Sequence, residues 1–299
     1  LNAPLLLMAH PSPDLYGSDW QLLESIDGFI EAGWKVLLVL PADGPLAELA
    51  IQRGAQVEIA DFIVLRKSLL CARGLIPLVL NATSSVLRIW TRLRAARPTA
   101  VYVNTLTIPV WLIAAKLAGV RAICHVHEAE QEQHRVVRVA IALPLRLAGR
   151  VVVNSSAARR AIVEVLPSLH RKITILYNGV PGPAGLPVPA AQRLATEPQQ
   201  LAVVARLSPR KGIDIALDAV GILVSAGRDV ELTICGTTYP GYEWYEQELR
   251  VRAAKPDLAG RVEFAGYVHP TWSVLDRADA VLIPSRAAEV VKASEASGS

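Results

Sequence analysis

The stretch with the most chemical content is Leu201 to Gly212, LAVVARLSPRKG, where an apolar run gives way to a short loop carrying Arg206 and Lys211. Leu201 to Ala205 suits a strand buried on both faces of a parallel sheet. Ser208-Pro209 breaks that pattern. Ile213 to Val224 then reads as an amphipathic helix, with Ile213, Ile215, Leu217, Val220 and Leu223 available to a core. The two cations therefore stand at the carboxyl end of a strand, where open α/β sheets bind their ligands. A diphosphate fits such a place, because each of its oxygens needs a charged or N–H donor and helix-start amides lie alongside. On charge alone the loop reads as a solvated basic turn; the pattern around it argues for the anion.

That pattern is alternation along the whole chain. Strands are expected at Leu5–Ala9, Lys35–Leu40, Gln56–Ile59, Ala100–Val103, Ala122–Val126, Val151–Asn154 and Ile173–Leu176. Between them fall helices at Trp20–Ala32, Pro45–Arg53, Ser68–Ala96, Pro109–Ala118, Gln133–Ala148 and Ser156–Val165. Residues 181–198, PGPAGLPVPAAQRLATEP, are proline-rich without sustained periodicity and read as a linker. The alternation then restarts with strand 201–205, helix 213–224, strand Val230–Cys235, helix Tyr242–Ala254, strand Val262–Phe264, helix Trp272–Arg277 and strand Ala280–Ile283. Strands alternating with helices mean parallel sheets joined by right-handed crossovers. The expectation is an α/β chain of two doubly wound, Rossmann-like domains, 1–180 and 199–299, with a cleft between them.

A chain of 299 residues is long enough for two such cores. Its 52% hydrophobic and 19% charged residues exclude disorder. Cys71, Cys124 and Cys235 are widely spaced with no CxxC, and Cys124 and Cys235 lie in apolar runs, so buried thiols in a reducing compartment are expected. No apolar run approaches the roughly 18 residues of a membrane span. No charged n-region or cleavage site follows Leu1, so the expected location is cytoplasmic. The net charge of +4 is unevenly placed. Arg66, Lys67, Arg73, Arg88, Arg92, Arg94 and Arg97 are interleaved with leucines, isoleucines and Trp90, and HRVVRVAIALPLRLAGR at His134 to Arg150 repeats the theme. Such segments suit an anionic membrane surface at the inner face. They equally suit the outside of any α/β domain, where arginine stems cover apolar flanks. Nucleic acid is not an expected partner, because no aromatic array stands among the basic residues.

In order along the chain, the motifs resemble a retaining glycosyltransferase of family 4 with the GT-B fold. Tyr16-Gly17-Ser18 followed by a helix and AGWKVLLVLP resembles the family's opening glycine loop and second strand. HVHE at His125 to Glu128, VVVNSSAAR at Val151 to Arg159 and LYNGV at Leu176 to Val180 resemble three further stretches. ARLSPRKG resembles the donor-diphosphate loop, and VEFAGYV and DRADAVLIPSR resemble the run before the donor-binding glutamates. Together they span roughly residues 5 to 286. Beyond PSR the sequence departs: Glu289 is followed by Val290-Val291 where the family has Pro-Phe, and Ser297 stands where a second glutamate is expected. AAEVVKASEA also reads as an ordinary helix, and a complete second domain would need further strand–helix units, so that domain is expected to be partial.

The resemblance implies transfer of a sugar from a nucleotide-diphosphate sugar to an acceptor, expected to be a lipid-linked or cell-envelope glycan. Attack comes on the same face as departure, assisted by the leaving diphosphate and without a protein nucleophile. Arg206 and Lys211 would neutralise charge building on the leaving oxygen. Gly17 would bring backbone N–H groups close to the phosphate, and Glu289 would bind the donor. His127 would hydrogen-bond the donor sugar, while Glu128 would orient His127 or bind acceptor, a helix-start acid being the other reading. His125 is expected on the opposite face of its strand, with a structural role. No DxD motif or clustered ligand set is seen, so no metal and no cofactor are expected, Arg and Lys replacing a divalent ion. Two other classes remain open: a nucleotide-sugar 2-epimerase on the same architecture, and a non-catalytic sugar-binding subunit.

Overall fold

The computed structural model describes residues 3–15, 17–65, 75–127, 135–179, 182, 198–238 and 241–286. Glu128, Glu289 and the rest of 287–299, Arg66, Lys67 and Arg73, and the linker apart from Gly182 and Pro198 lie outside these residues. The chain divides into two compact units, Leu1–Val180 and Pro181–Ser299.

In the first unit the strands are β1 (Leu5–Ala9), β2 (Lys35–Leu40), β3 (Gln56–Ile59), β4 (Ala100–Asn104), β5 (Arg121–Val126), β6 (Arg150–Val153) and β7 (Ile173–Ile175). They pair in the order β3-β2-β1-β4-β5-β6-β7, every pairing parallel. The helices are α1 (Gly17–Glu31), α2 (Pro45–Gln52), α3 (Leu75–Ala96), α4 (Val110–Ala118), α5 (Arg135–Ala142) and α6 (Ser156–Val165). Strand alternation divides the core into two layers. Leu6 and Met8 of β1 pack with Leu22, Leu23 and Ile26 of α1 on one side of the sheet. Leu7 and Ala9 face the other side, where Ile89, Leu93 and the fully buried Trp111 collect. Local chemistry sets the ends: Ser155 Oγ accepts from the Ala158 amide to cap α6, and Gly119 closes α4 in the left-handed region. The single helix expected over Gln133–Ala148 is instead α5 followed by a 3-10 turn at Leu143–Leu147. Pro144 cannot supply the N–H that would continue an α-helix.

The second unit holds β8 (Gln199–Val204), α7 (Ile213–Ser225), β9 (Val230–Cys235), α8 (Glu243–Ala253), β10 (Val262–Gly266), α9 (Trp272–Leu275) and β11 (Ala280–Val281). Its parallel order is β10-β9-β8-β11. One face is filled by Ile213, Leu217 and Val220 of α7 with Tyr245 and Leu249 of α8. The other carries, among the described residues, the smaller group Ala202, Cys235 and Val274. The two parallel sheets agree with the doubly wound reading.

Both sheets reverse their strand order at one place, between β1 and β4 in the first and between β8 and β11 in the second. There the loops leave in opposite directions and open a crevice at the carboxyl ends. In the second unit two glycines allow close packing of the loops at these strand ends, Gly212 across the reversal and Gly236 on the β9 side of β8. A Cβ on Gly236 (φ 145°) would come within 1.9 Å of the Ala205 carbonyl oxygen, and one on Gly212 (φ 65°) within 2.1 Å of the Pro284 carbonyl oxygen. Gly236→Ala therefore combines a disfavoured backbone conformation with a backbone clash, and should destabilise the second unit by about 3 kcal/mol. Chemical denaturation followed by Trp244 fluorescence measures this; an unchanged midpoint would contradict the close approach.

Candidate functional site

In the first unit, the polar residues that end the apolar strands gather at the reversal point. His10 follows β1, Asn104 ends β4, and His125 and His127 end β5 or follow it; Asp19 enters from the first turn of α1. His10, Asp19, Asn104 and His125 are buried. Buried polar groups persist only when they are paired, and these form one chain. His10 Nε2 lies 2.6 Å from Asp19 Oδ1, Asn104 Nδ2 lies 2.9 Å from His10 Nδ1, and His127 Nε2 lies 2.8 Å from Asn104 Oδ1. The Asn154 amide, just past β6, donates to the His127 carbonyl at 3.2 Å and fixes its backbone. Next to Asn104, Thr105 holds φ 110°, a conformation rare for a β-branched residue, and donates its N–H to the His125 carbonyl at 2.7 Å.

His125 is not on the opposite face from His127. Their ring centroids are 4.1 Å apart, because residues two apart on a strand share a face. His125 also bonds the Tyr102 hydroxyl through Nδ1, while its buried Nε2 has no hydrogen-bond partner among the described residues. Burial holds His125 neutral, with its pKa lowered to about 4. Burial, with the neighbouring His125 and His10, lowers His127 to about 3. Gly17 is the first residue of α1 rather than part of a loop before it. It is exposed, and a Cβ there would meet nothing within 4 Å, so packing among the described residues does not require a glycine.

The second unit presents the opposite chemistry. Beyond β8, Arg206 is exposed and Lys211 half-buried at the end of the 3-10 turn Pro209–Lys211, directly before α7. The loop is anchored to its neighbour: the Ala205 amide donates to Cys235 O at 2.9 Å and Leu207 to Thr237 O at 3.0 Å. Burial first, then the charges of Arg206 and Arg210, push the Lys211 ammonium below its ordinary range. The acid closest in sequence, Asp214, is engaged elsewhere. It pairs with Arg286 and accepts from the Tyr245 hydroxyl at 2.6 Å. Arg286 also donates to the carbonyls of Pro209, at 3.2 Å, and Arg210, at 2.9 Å, bracing the loop from the β11 side. Among the described residues no carboxylate forms an ion pair with Lys211. Like charges held this close disfavour one another's charged forms, and a nearby anion would relieve that.

In the basic segment of the first unit, Arg88 pairs with Asp61 at 3.1 Å and Arg92 with Glu58 at 2.5 Å, while Arg94 lies over the Trp90 ring at 5.8 Å. Val136, Leu143 and Leu147 are exposed around the α5 corner. No helix among the described residues is long and apolar enough to cross a membrane.

Two family models cover these units. Residues 17–181 match the model described as Glycosyltransferase Family 4, and residues 188–298 match Glycosyl transferases group 1. The chain belongs to glycosyltransferase family 4. Solved structures share the GT-B fold. Anabaena HepE in complex with UDP and glucose is 22% identical, with a TM-score of 0.72 over 94% of this chain and 74% of that one. A glycosyltransferase from Rickettsia africae is 14% identical, with a TM-score of 0.71 over 95% and 74%. The lipopolysaccharide outer core galactosyltransferase WaaB is 15% identical, with a TM-score of 0.66 over 94% and 74%. Among curated protein sequences none matches the chain.

In this family 4 chain the residues named from sequence fall in separate places: His127 ends the polar chain of the first unit, and Arg206 and Lys211 belong to the loop of the second. His10, Asp19 and Asn104 were not named from sequence; His10 directly follows an apolar strand and Asn104 closes one, which was a usable signal, whereas Asp19 in the first turn of α1 carried none. The two depressed histidines also make a stability prediction. Above pH 6.5 they are neutral in both folded and unfolded chains, so their burial costs nothing there. Below it the unfolded chain takes up protons that the fold resists, and stability falls until about pH 3–4, where the folded histidines protonate too. The loss by pH 5 should be roughly 2 kcal/mol per histidine. Urea denaturation at pH 7 and pH 5 measures it, and His127→Gln should reduce it. A flat profile would contradict buried, neutral rings.

Proposed function

We propose that the protein is a retaining, metal-independent glycosyltransferase whose leaving diphosphate is held by Arg206 and Lys211. The observation that carries this reading is the half-buried Lys211 beside Arg206 and Arg210 at the order reversal of the second sheet, with its ammonium disfavoured until an anion arrives. In the reaction, the bond from the anomeric carbon to the diphosphate oxygen breaks as the acceptor hydroxyl attacks on the same face. The hydroxyl proton passes to the departing diphosphate, and no protein nucleophile is used. Charge builds on the leaving oxygen, where Arg206 and Lys211 stabilise it most in the transition state. They take the part that a divalent ion plays elsewhere, so EDTA should leave turnover unchanged.

His127, neutral and anchored by Asn104, is assigned to the donor sugar, and the open surroundings of exposed Gly17 suit backbone approach to the phosphate. Glu289 is assigned to donor binding and Glu128 to the acceptor on the resemblance alone. Solved relatives hold UDP or UDP-glucose, which makes uridine donors the first to try. A lipid-linked or cell-envelope acceptor is favoured by the exposed Val136, Leu143 and Leu147 among arginines.

Lys211→Ala should cost about 2–4 kcal/mol of transition-state stabilisation, read as kcat/KM for transfer from a labelled nucleotide sugar. Near-normal turnover would overturn the assignment. Incubation without acceptor separates this reading from an epimerase, which would interconvert the donor with no sugar transferred. Binding to anionic liposomes should weaken with salt if the α5 corner docks there; no binding at low salt would point to a soluble acceptor.

A further inference from the structure

The hydrogen bonds around His127 run in one direction. A carboxylate only accepts, so His10 Nε2 carries the proton that it shares with Asp19 Oδ1. His10 Nδ1 faces Asn104 Nδ2, an NH2 group that only donates, so Nδ1 must accept and the ring is neutral with its proton on Nε2. The Ser18 carbonyl, 3.5 Å from the same Asn104 nitrogen, marks that side of the amide as the NH2 group. Asn104 Oδ1 is then turned to His127 and must accept, which places the His127 proton on Nε2. Ser18 Oγ adds a donor to Asp19 Oδ1 at 3.1 Å. The chain runs from a helix end through the ends of two neighbouring strands to a third, so one buried carboxylate sets a proton three residues away.

We infer that Asp19, His10 and Asn104 are positioning residues that fix His127 as the Nε2–H tautomer at the sugar-binding end of the first sheet. This rests on the transferase reading above for its consequence, though not for its geometry. A ring held so carries a lone pair, and no proton, on Nδ1. It cannot protonate a leaving group, which agrees with a reaction in which the diphosphate receives the proton itself. Burial is the main cause that keeps the ring neutral, and among the described residues His125, tilted against it at 4.1 Å between centroids, adds to the effect.

Asp19→Asn tests the relay, because it keeps the shape and inverts the chemistry. The new amide can donate where the carboxylate accepted. His10 then accepts at Nε2 and donates from Nδ1, Asn104 turns over, and His127 is left with its proton on Nδ1. Nitrogen NMR of histidine-labelled protein distinguishes the two tautomers. The expected result is Nε2–H at His127 in the native protein and Nδ1–H in Asp19→Asn, with kcat down about 100-fold and the melting temperature and nucleotide affinity little changed. Asp19→Glu, which remains an acceptor, should retain the native tautomer and recover part of the rate. An Nδ1–H signal in the native protein would overturn the relay, as would an unchanged tautomer in Asp19→Asn. The first of these needs no variant to fold. The tautomer is read without substrate, so a native protein that transfers no sugar would overturn the transferase reading while leaving the relay standing on its own measurement.

Discussion

Every strand pairing among the described residues is parallel, and that constraint places everything else. Parallel strands need crossovers, the crossovers bring all the strand exits of a sheet to one edge, and a single reversal of order leaves a gap at that edge. In the first sheet the gap lies between β1 and β4, where His10 and Asn104 emerge; in the second it lies between β8 and β11, where the Arg206 to Lys211 loop and Arg286 emerge. Neither site could be assembled by residues close in sequence. Asp19 and Asn104 meet across the first unit only because their elements flank the same reversal.

The two gaps solve different electrostatic problems. The first is lined by groups that are polar yet, at His125 and His127, held uncharged by burial, and it spends its hydrogen bonds on fixing orientation. The second concentrates positive charge where the backbone is least free to move. Gly212 and Gly236 let carbonyl oxygens of neighbouring loops approach to distances that any side chain would block, and Arg286 ties the loop from the far side. For the proposed diphosphate, rigid placement would matter because donors already aimed at an anion need no reorganisation at the moment of bond breaking.

Much of this was legible in the sequence. The alternation of apolar runs and amphipathic segments gave both parallel sheets, because a buried parallel strand has no polar face to blur its pattern. Arg206 and Lys211 stood out as cations at a strand end. What the sequence could not show was pairing across the fold. Asp19 lies just before the helix expected from Trp20 and Asn104 just past the strand expected to end at Val103, and only the strand order brings them to one histidine. The misplacement of His125 was a failure of period counting, since His125 and His127 are two apart and share a face. Pro144 marked the end of α5, but the apolar residues beyond it kept a helical spacing that the 3-10 turn also satisfies.

We propose that the Lys211 ammonium is kept for a diphosphate. Its pKa, followed by NMR of the lysine side chain with and without UDP, tests this most directly. Burial and the neighbouring arginines hold it below the ordinary lysine range in the free protein. A bound dianion should reverse that and raise it, because an opposite charge at contact favours the protonated form. A Lys211 pKa that stays where it was while UDP is demonstrably bound would contradict the account.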